Sequence, residues 1–113
     1  MSYSTNCLGN KVKVTIDRAL GSKHPKCNII YKVNYGFIEG IMAPDGDELD
    51  AYILGVSTPL KEFVGICIAI IHRTNDDDDK LIVVPDGVTF SDEEIIKLTY
   101  FQEQYFKSEI IRN

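Results

Sequence analysis

The chain predicts a mainly β fold: a small closed or partly open barrel of five to six strands, with one helix at the C-terminal end. Three observations lead there. Short runs rich in β-branched residues recur through the first three quarters of the 113 residues. Clusters of Gly, Pro, Asn and Asp punctuate those runs. The apolar period changes from about 2 to about 3.6 only after Ser91. Closing such strands on themselves would also remove exposed sheet edges.

The elements follow in order. Val12, Val14 and Ile16 alternate with polar residues, so Lys11 to Ile16 reads as a half-buried strand. Gly21 to Lys26 carries Gly, Ser and Pro and reads as a loop. Ile29 to Val33 and Tyr35 to Ile38 are β-rich runs broken around Asn34 and Gly36, and Gly40 to Asp47 is a turn region. Ala51 to Val56 returns to strand character until Thr58-Pro59 ends it. Phe63 to Ile71 is a longer apolar run whose β-branched content and flanking turn signals favour a buried strand. Leu81 to Val84 is another strand, closed by Pro85-Asp86-Gly87. Ser91 then stands three residues before Glu94, the spacing of a capping box. Ile95, Leu98, Phe101 or Gln102, and Tyr105 recur at helical spacing, which predicts one amphipathic helix from about Asp92 to Ile110.

Length and composition suit one domain over residues 1–113: 44% hydrophobic, 26% charged, net charge -5. An acidic chain lacks the Lys and Arg excess that nucleic-acid binding draws on, so no nucleic-acid partner is expected. The longest apolar run, Val64 to Ile71, is too short to span a bilayer, so no membrane partner is expected either. Residues 1–10 are polar, unlike a secretion signal. Cys7, Cys27 and Cys67 are odd in number and widely spaced, which fits neither a disulfide framework nor a CxxC site. Reduced thiols in a cytoplasmic protein are the expectation.

Two acidic clusters carry the chemistry. Asp45-Gly46-Asp47-Glu48-Leu49-Asp50 places three aspartates within six positions, after Pro44. Such crowding is unfavourable unless water or cations screen it, and clustered carboxylate oxygens suit a hard cation such as Mg²⁺. Asp45 and Asp47 point the same way if the segment is extended, and Gly46 permits the bend that would bring Asp50 round. The spacing is not that of an EF-hand, whose fifth and sixth positions here hold Leu49 and Asp50. By spacing alone, a solvated acidic turn is an equal reading. The second cluster, Asp76 to Asp79 followed by Lys80, reads by itself as a solvated charge run in a hairpin loop. His24 and His72 are isolated and read as structural or surface residues. Tyr31, Tyr35, Tyr52, Tyr100 and Tyr105 supply barrel wall, or hydroxyl donors.

Taken together, Asn34-Tyr35-Gly36-Phe37-Ile38, the Asp45 to Ala51 segment and Asp78-Asp79-Lys80-Leu81 resemble the soluble inorganic pyrophosphatases. Ile16-Asp17-Arg18 and Phe101-Gln102-Glu103-Gln104-Tyr105 resemble that family's flanking segments, in the same order along about residues 12–107. The resemblance implies a five-stranded barrel of the OB type and Mg²⁺-dependent hydrolysis of diphosphate to two phosphates. It implies Asp45, Asp50, Asp76 and Asp78 as metal ligands. Asp47 would hold or deprotonate the attacking water, with Tyr35 hydrogen-bonded near it. Arg18, Lys80 and Tyr105 would bind phosphate oxygens, and Tyr31 would line the site. Family members commonly assemble, which leaves a homo-oligomer open for this chain.

The chain departs from the pattern in three places, one of them the loop Gly21 to Lys26, enlarged between Arg18 and Tyr31. With ten residues before Lys11, the family's upstream strand pair with its lysine and glutamates is not expected, and Phe106 stands where a lysine usually follows the tyrosine. Lys11, Lys13, Lys23 and Lys26 are the candidate replacement cations. A shortened member could therefore hydrolyse another phosphoanhydride such as a nucleotide, or bind Mg²⁺ and diphosphate without turnover.

Overall fold

A computed structural model describes residues 3–42, 48–75 and 78–113. Among the described residues the strands and the α-helix are β1 (Lys11–Arg18), β2 (Asn34–Met42), β3 (Glu48–Ile53), β4 (Glu62–Arg73), β5 (Asp78–Val84), α1 (Asp92–Glu103) and β6 (Ser108–Ile111). A short 3-10 turn over Tyr3–Cys7 precedes them.

The strands hydrogen-bond in the order β1-β2-β3-β5-β4, and β1 pairs a second time with β4. That second pairing closes five strands into the barrel the sequence predicts. β4 is long enough, at 12 residues, to do two jobs along one edge. Its first half pairs with β1 and its last four residues, Ile70 to Arg73, pair with β6. Its other edge carries β5.

Two apolar clusters divide the side chains. Val12, Val14, Leu49, Ala51, Ile53, Ile70, Leu81 and Val83 belong to the first, which fills the barrel. Tyr52, Leu54, Ala69, Ile71, Ile82 and Val84 belong to the second, which meets Ile95 of α1. Alternation in β3 and β5 sends odd positions to one cluster and even positions to the other, as a pleated strand requires. Cys67 and Ala69 break that rule, since they are two apart yet fall in different clusters. A bulge between them shifts the register with β5 and turns the rest of β4 over.

Asn34 and Gly36 explain the break within the predicted strand runs. Asn34 is fully buried; its Oδ1 accepts from the Leu20 and Leu60 backbone amides, and its Nδ2 donates to the Thr58 carbonyl. Gly36 lies so close to β1 that a Cβ there would sit 1.9 Å from the Thr15 carbonyl oxygen.

Three expectations change. Ile29 to Val33 is not a strand of the barrel, because the Tyr31 backbone turns back to bond Gly21 and Ser22. The strand expected over Ala51 to Val56 lies earlier, over Glu48–Ile53. The helix begins as predicted, with the reciprocal Ser91–Glu94 capping box, but ends at Glu103 rather than near Ile110. Ser108 to Ile111 instead cover the exposed edge of β4, which would otherwise leave unpaired backbone groups.

Candidate active site

Four elements meet on the barrel face that α1 covers. In the parallel β3–β5 pair, Asp50 stands opposite Lys80. Asp78 and Lys80 are two apart on β5 and share a face, and Asp78 pairs with Arg73 across the β4–β5 ladder. Residues thirty apart in the chain thus become neighbours.

Lys80 is the centre of the arrangement. Its Nζ donates to Asp50 Oδ2 and Asp78 Oδ2, each at 2.6 Å, and the ammonium is almost wholly buried. The two carboxylate oxygens therefore lie within twice that distance of each other. Tyr35 also donates to Asp50 Oδ2, at 2.9 Å. Burial, and then the Asp50 charge, raise the Tyr35 phenol well above its ordinary pKa, so it stays a neutral donor.

A second network runs beneath α1. Arg73 donates through Nε and Nη2 to the two oxygens of Glu103, at 3.0 and 2.6 Å. Tyr52 donates to Glu103 Oε2 at 2.5 Å, Gln102 Nε2 donates to the Tyr52 hydroxyl at 2.7 Å, and Tyr31 donates to Gln102 Oε1 at 2.8 Å. Burial and the Glu103 charge hold the Tyr52 phenol well above its ordinary pKa. The buried face of α1 (Ile95, Thr99, Gln102, Glu103) is mostly polar. Each of those polar groups has a partner, as burial demands.

Both networks border a cleft of about 760 Å³. Its described walls include Asp17, Arg18, Tyr31, Tyr35, Asp50, Arg73, Gln102, Tyr105 and Phe106. Burial raises the Asp17 carboxyl from its ordinary pKa; Arg18 opposes the shift and the Asp50 charge adds to it.

A model of the inorganic pyrophosphatase family matches residues 7–110. The chain belongs to that family. Inorganic diphosphatase activity is the family's reaction, diphosphate its substrate and a divalent metal its cofactor.

Solved structures share the fold. Inorganic pyrophosphatase from Thermus thermophilus is 19% identical with a TM-score of 0.69, over 90% of this chain and 82% of that one. The Ehrlichia chaffeensis enzyme is 20% identical with a TM-score of 0.68, over 88% and 83%. The Helicobacter pylori enzyme is 18% identical with a TM-score of 0.67, over 91% and 85%.

The site residues expected from sequence divide as follows. Arg18, Tyr31, Tyr35, Asp50 and Tyr105 line the cleft. Asp78 and Lys80 join Asp50 through the ion pairs described, with Lys80 behind the carboxylates rather than among the described cleft-lining residues. Asp45, Asp47 and Asp76 lie outside the described residues. Tyr35 hydrogen-bonds to Asp50, while its expected neighbour Asp47 lies outside the described residues. Lys11, Lys13, Lys23 and Lys26 are exposed and are not among the described lining residues, and Lys13 pairs with Glu62 at 3.4 Å.

Sequence reasoning passed over Arg73 and the polar roles of Gln102 and Glu103. The available signal was Glu103 on the helical stripe of Ile95, where an apolar residue is expected.

Proposed function

We propose that this chain, as one pyrophosphatase-like domain over residues 1–113, hydrolyses diphosphate to two phosphates with Mg²⁺ as its metal, in the cytoplasm. The observation that carries the reading is the convergence of Asp50 and Asp78 on one cation position beside a cleft walled by arginine and tyrosine.

The donor set fits a hard divalent ion. Asp50 and Asp78 offer carboxylate oxygens held close together, the chemistry Mg²⁺ selects. Among the described residues these form a pair rather than a larger group; Asp45 and Asp76 would complete the ligand set. The bound ion supplies charge neutralisation and makes water more acidic.

The protein's own groups do the rest. Asp47 takes the proton of the attacking water. Arg18 and Tyr105, at the cleft wall, hold phosphate oxygens, and the rings of Tyr31 and Tyr35, with centroids 5.5 Å apart, shape the floor. Lys80 keeps Asp50 and Asp78 together and offsets their repulsion, while the Tyr35 phenol orients Asp50. Positioned cations stabilise the charge that shifts to the leaving phosphate.

Phosphate release from diphosphate with Mg²⁺, measured beside an Asp47→Asn variant, tests the reading. Rapid release by the wild type and a loss of about 10²-fold or more in the variant is expected for a positioned base. Equal rates in both, or no release by the wild type with any divalent metal, would overturn it.

A further inference from the structure

We propose that His24 is a further substrate-binding residue of this cleft, its Nε2–H donating to a phosphate oxygen of diphosphate. The inference deepens the proposed function and rests on it for the identity of the anion.

His24 belongs to the loop that is enlarged between Arg18 and Tyr31, and backbone bonds fix that loop. Gly21 N–H donates to the Tyr31 carbonyl at 2.8 Å, and Tyr31 N–H to that of Ser22 at 2.9 Å. His24 N–H donates to the Ile29 carbonyl at 2.8 Å, beside a bridge between Lys23 and Ile30. Residues 21–31 therefore close as a small hairpin. Its wall of His24, Cys27, Asn28 and Ile29 lines the cleft with Arg18 and Asp50.

The imidazole is itself held. Nδ1 accepts from the Lys26 backbone N–H at 3.0 Å. The ring stacks on Tyr31, with planes 14° apart and centroids 6.3 Å apart. A nitrogen that accepts carries no proton, so the Lys26 bond assigns the ring proton to Nε2. Among the described residues Nε2 has no hydrogen-bond partner. A half-buried ring on a cleft wall, fixed on one edge and one face, is a donor oriented before any ligand arrives.

The anion needs such a donor. Tyr31 gives its hydroxyl proton to Gln102, Tyr35 gives its own to Asp50, and Lys80 is engaged by two carboxylates. Tyr31 packs on Tyr35 as well as on His24, so the imidazole stands two ring contacts from the Tyr35 phenol that holds Asp50. One phosphate held at the metal carboxylates leaves the other to reach along those rings to His24. The surrounding charge favours it there. Arg18, Lys23, Lys26 and Lys32 fall between Asp17 and Glu39 with no acidic residue among them. The competing reading makes His24 only a ring that packs on Tyr31 and closes the hairpin.

Two substitutions separate these readings. His24→Asn keeps a side-chain oxygen to accept from the Lys26 N–H, as in an Asx-turn, and removes the group at Nε2. His24→Gln carries an amide N–H further out, towards the position of Nε2. Neither replaces the ring on Tyr31. Calorimetry of imidodiphosphate, a non-hydrolysable analogue, would compare both with the wild type in Mg²⁺, with thermal unfolding alongside. Analogue affinity should weaken about tenfold in His24→Asn, the loss of one hydrogen bond to a charged group. His24→Gln should recover most of that loss, and KM for diphosphate should follow the same order. A loss under threefold in His24→Asn would overturn the proposal. So would equal losses in the two variants, which is the result a packing role gives, or no analogue binding by the wild type. The calorimetry decides His24 even if the wild type binds diphosphate without hydrolysing it, so the two readings fail separately.

Discussion

Replacing Lys80 with methionine removes a buried ammonium and leaves its two carboxylates facing each other. Asp50 Oδ2 and Asp78 Oδ2 each lie 2.6 Å from Nζ. At about 5 Å and an effective dielectric of about 20, two like charges repel by roughly 3 kcal/mol. That agrees with the lower end of the roughly 3–5 kcal/mol seen when one partner of a buried pair is removed. The lower end is apt because the Asp50 side chain is 33% exposed. For a domain near this size, about 3 kcal/mol lowers Tm by about 12 °C or more. A divalent cation should then do what Lys80 did. At Mg²⁺ about a hundredfold above its Kd, binding restores about 2.7 kcal/mol. Thermal unfolding of wild type and Lys80→Met, with MgCl₂ and with NaCl at matched ionic strength, measures both effects. An unchanged Tm in the variant, or a Mg²⁺ response no larger than that of the wild type, would refute the assignment of Lys80 as the clamp on a cation site.

Two further outcomes concern the scaffold. Gly36→Ala would drive a Cβ into backbone atoms of Thr15 and Ile16, which cannot yield as a flexible side chain can; a loss of about 1–3 kcal/mol is expected. It should appear as a lower denaturation midpoint at unchanged m-value, and an unshifted midpoint would contradict the close approach of β1 and β2. Burial first, and then proximity to Cys7, pushes the Cys67 thiol up to about 12 against a reference of 9.0. The folded state resists an ionisation that the unfolded chain allows, so this stabilisation is complete below pH 9.0 and is lost as pH rises towards about 12. The slope is at most about 1.4 kcal/mol per pH unit. Stability measured from pH 8 to 11 should fall more steeply in the wild type than in Cys67→Val, and equal slopes would count against the buried thiol.

How much of this was legible in the sequence depends on the range of the forces involved. Alternation in Lys11 to Ile16 announced β1 because a half-buried strand writes its two faces locally. The Ser91–Glu94 pair announced the start of α1 because a capping box is closed within one turn. The end of α1 was not local. Helical spacing persists through Tyr105, but an open edge at Ile70 to Arg73 takes Ser108 to Ile111 into the sheet. Ile29 to Val33 has strand composition, yet Tyr31 spends its backbone bonds on Gly21 and Ser22.

By itself the sequence determined the β-rich barrel class, the capped helix and the acidic clusters whose repulsion asks for a cation, because these follow from composition and short spacing. Only the tertiary structure decided which charges meet. Parallel pairing sets Asp50 beside Lys80, and the bulge between Cys67 and Ala69 sets which side chains of β4 face α1. The Arg73–Glu103 pair then forms across thirty residues of chain. Such contacts depend on strand register, and a register is fixed only when the whole barrel closes.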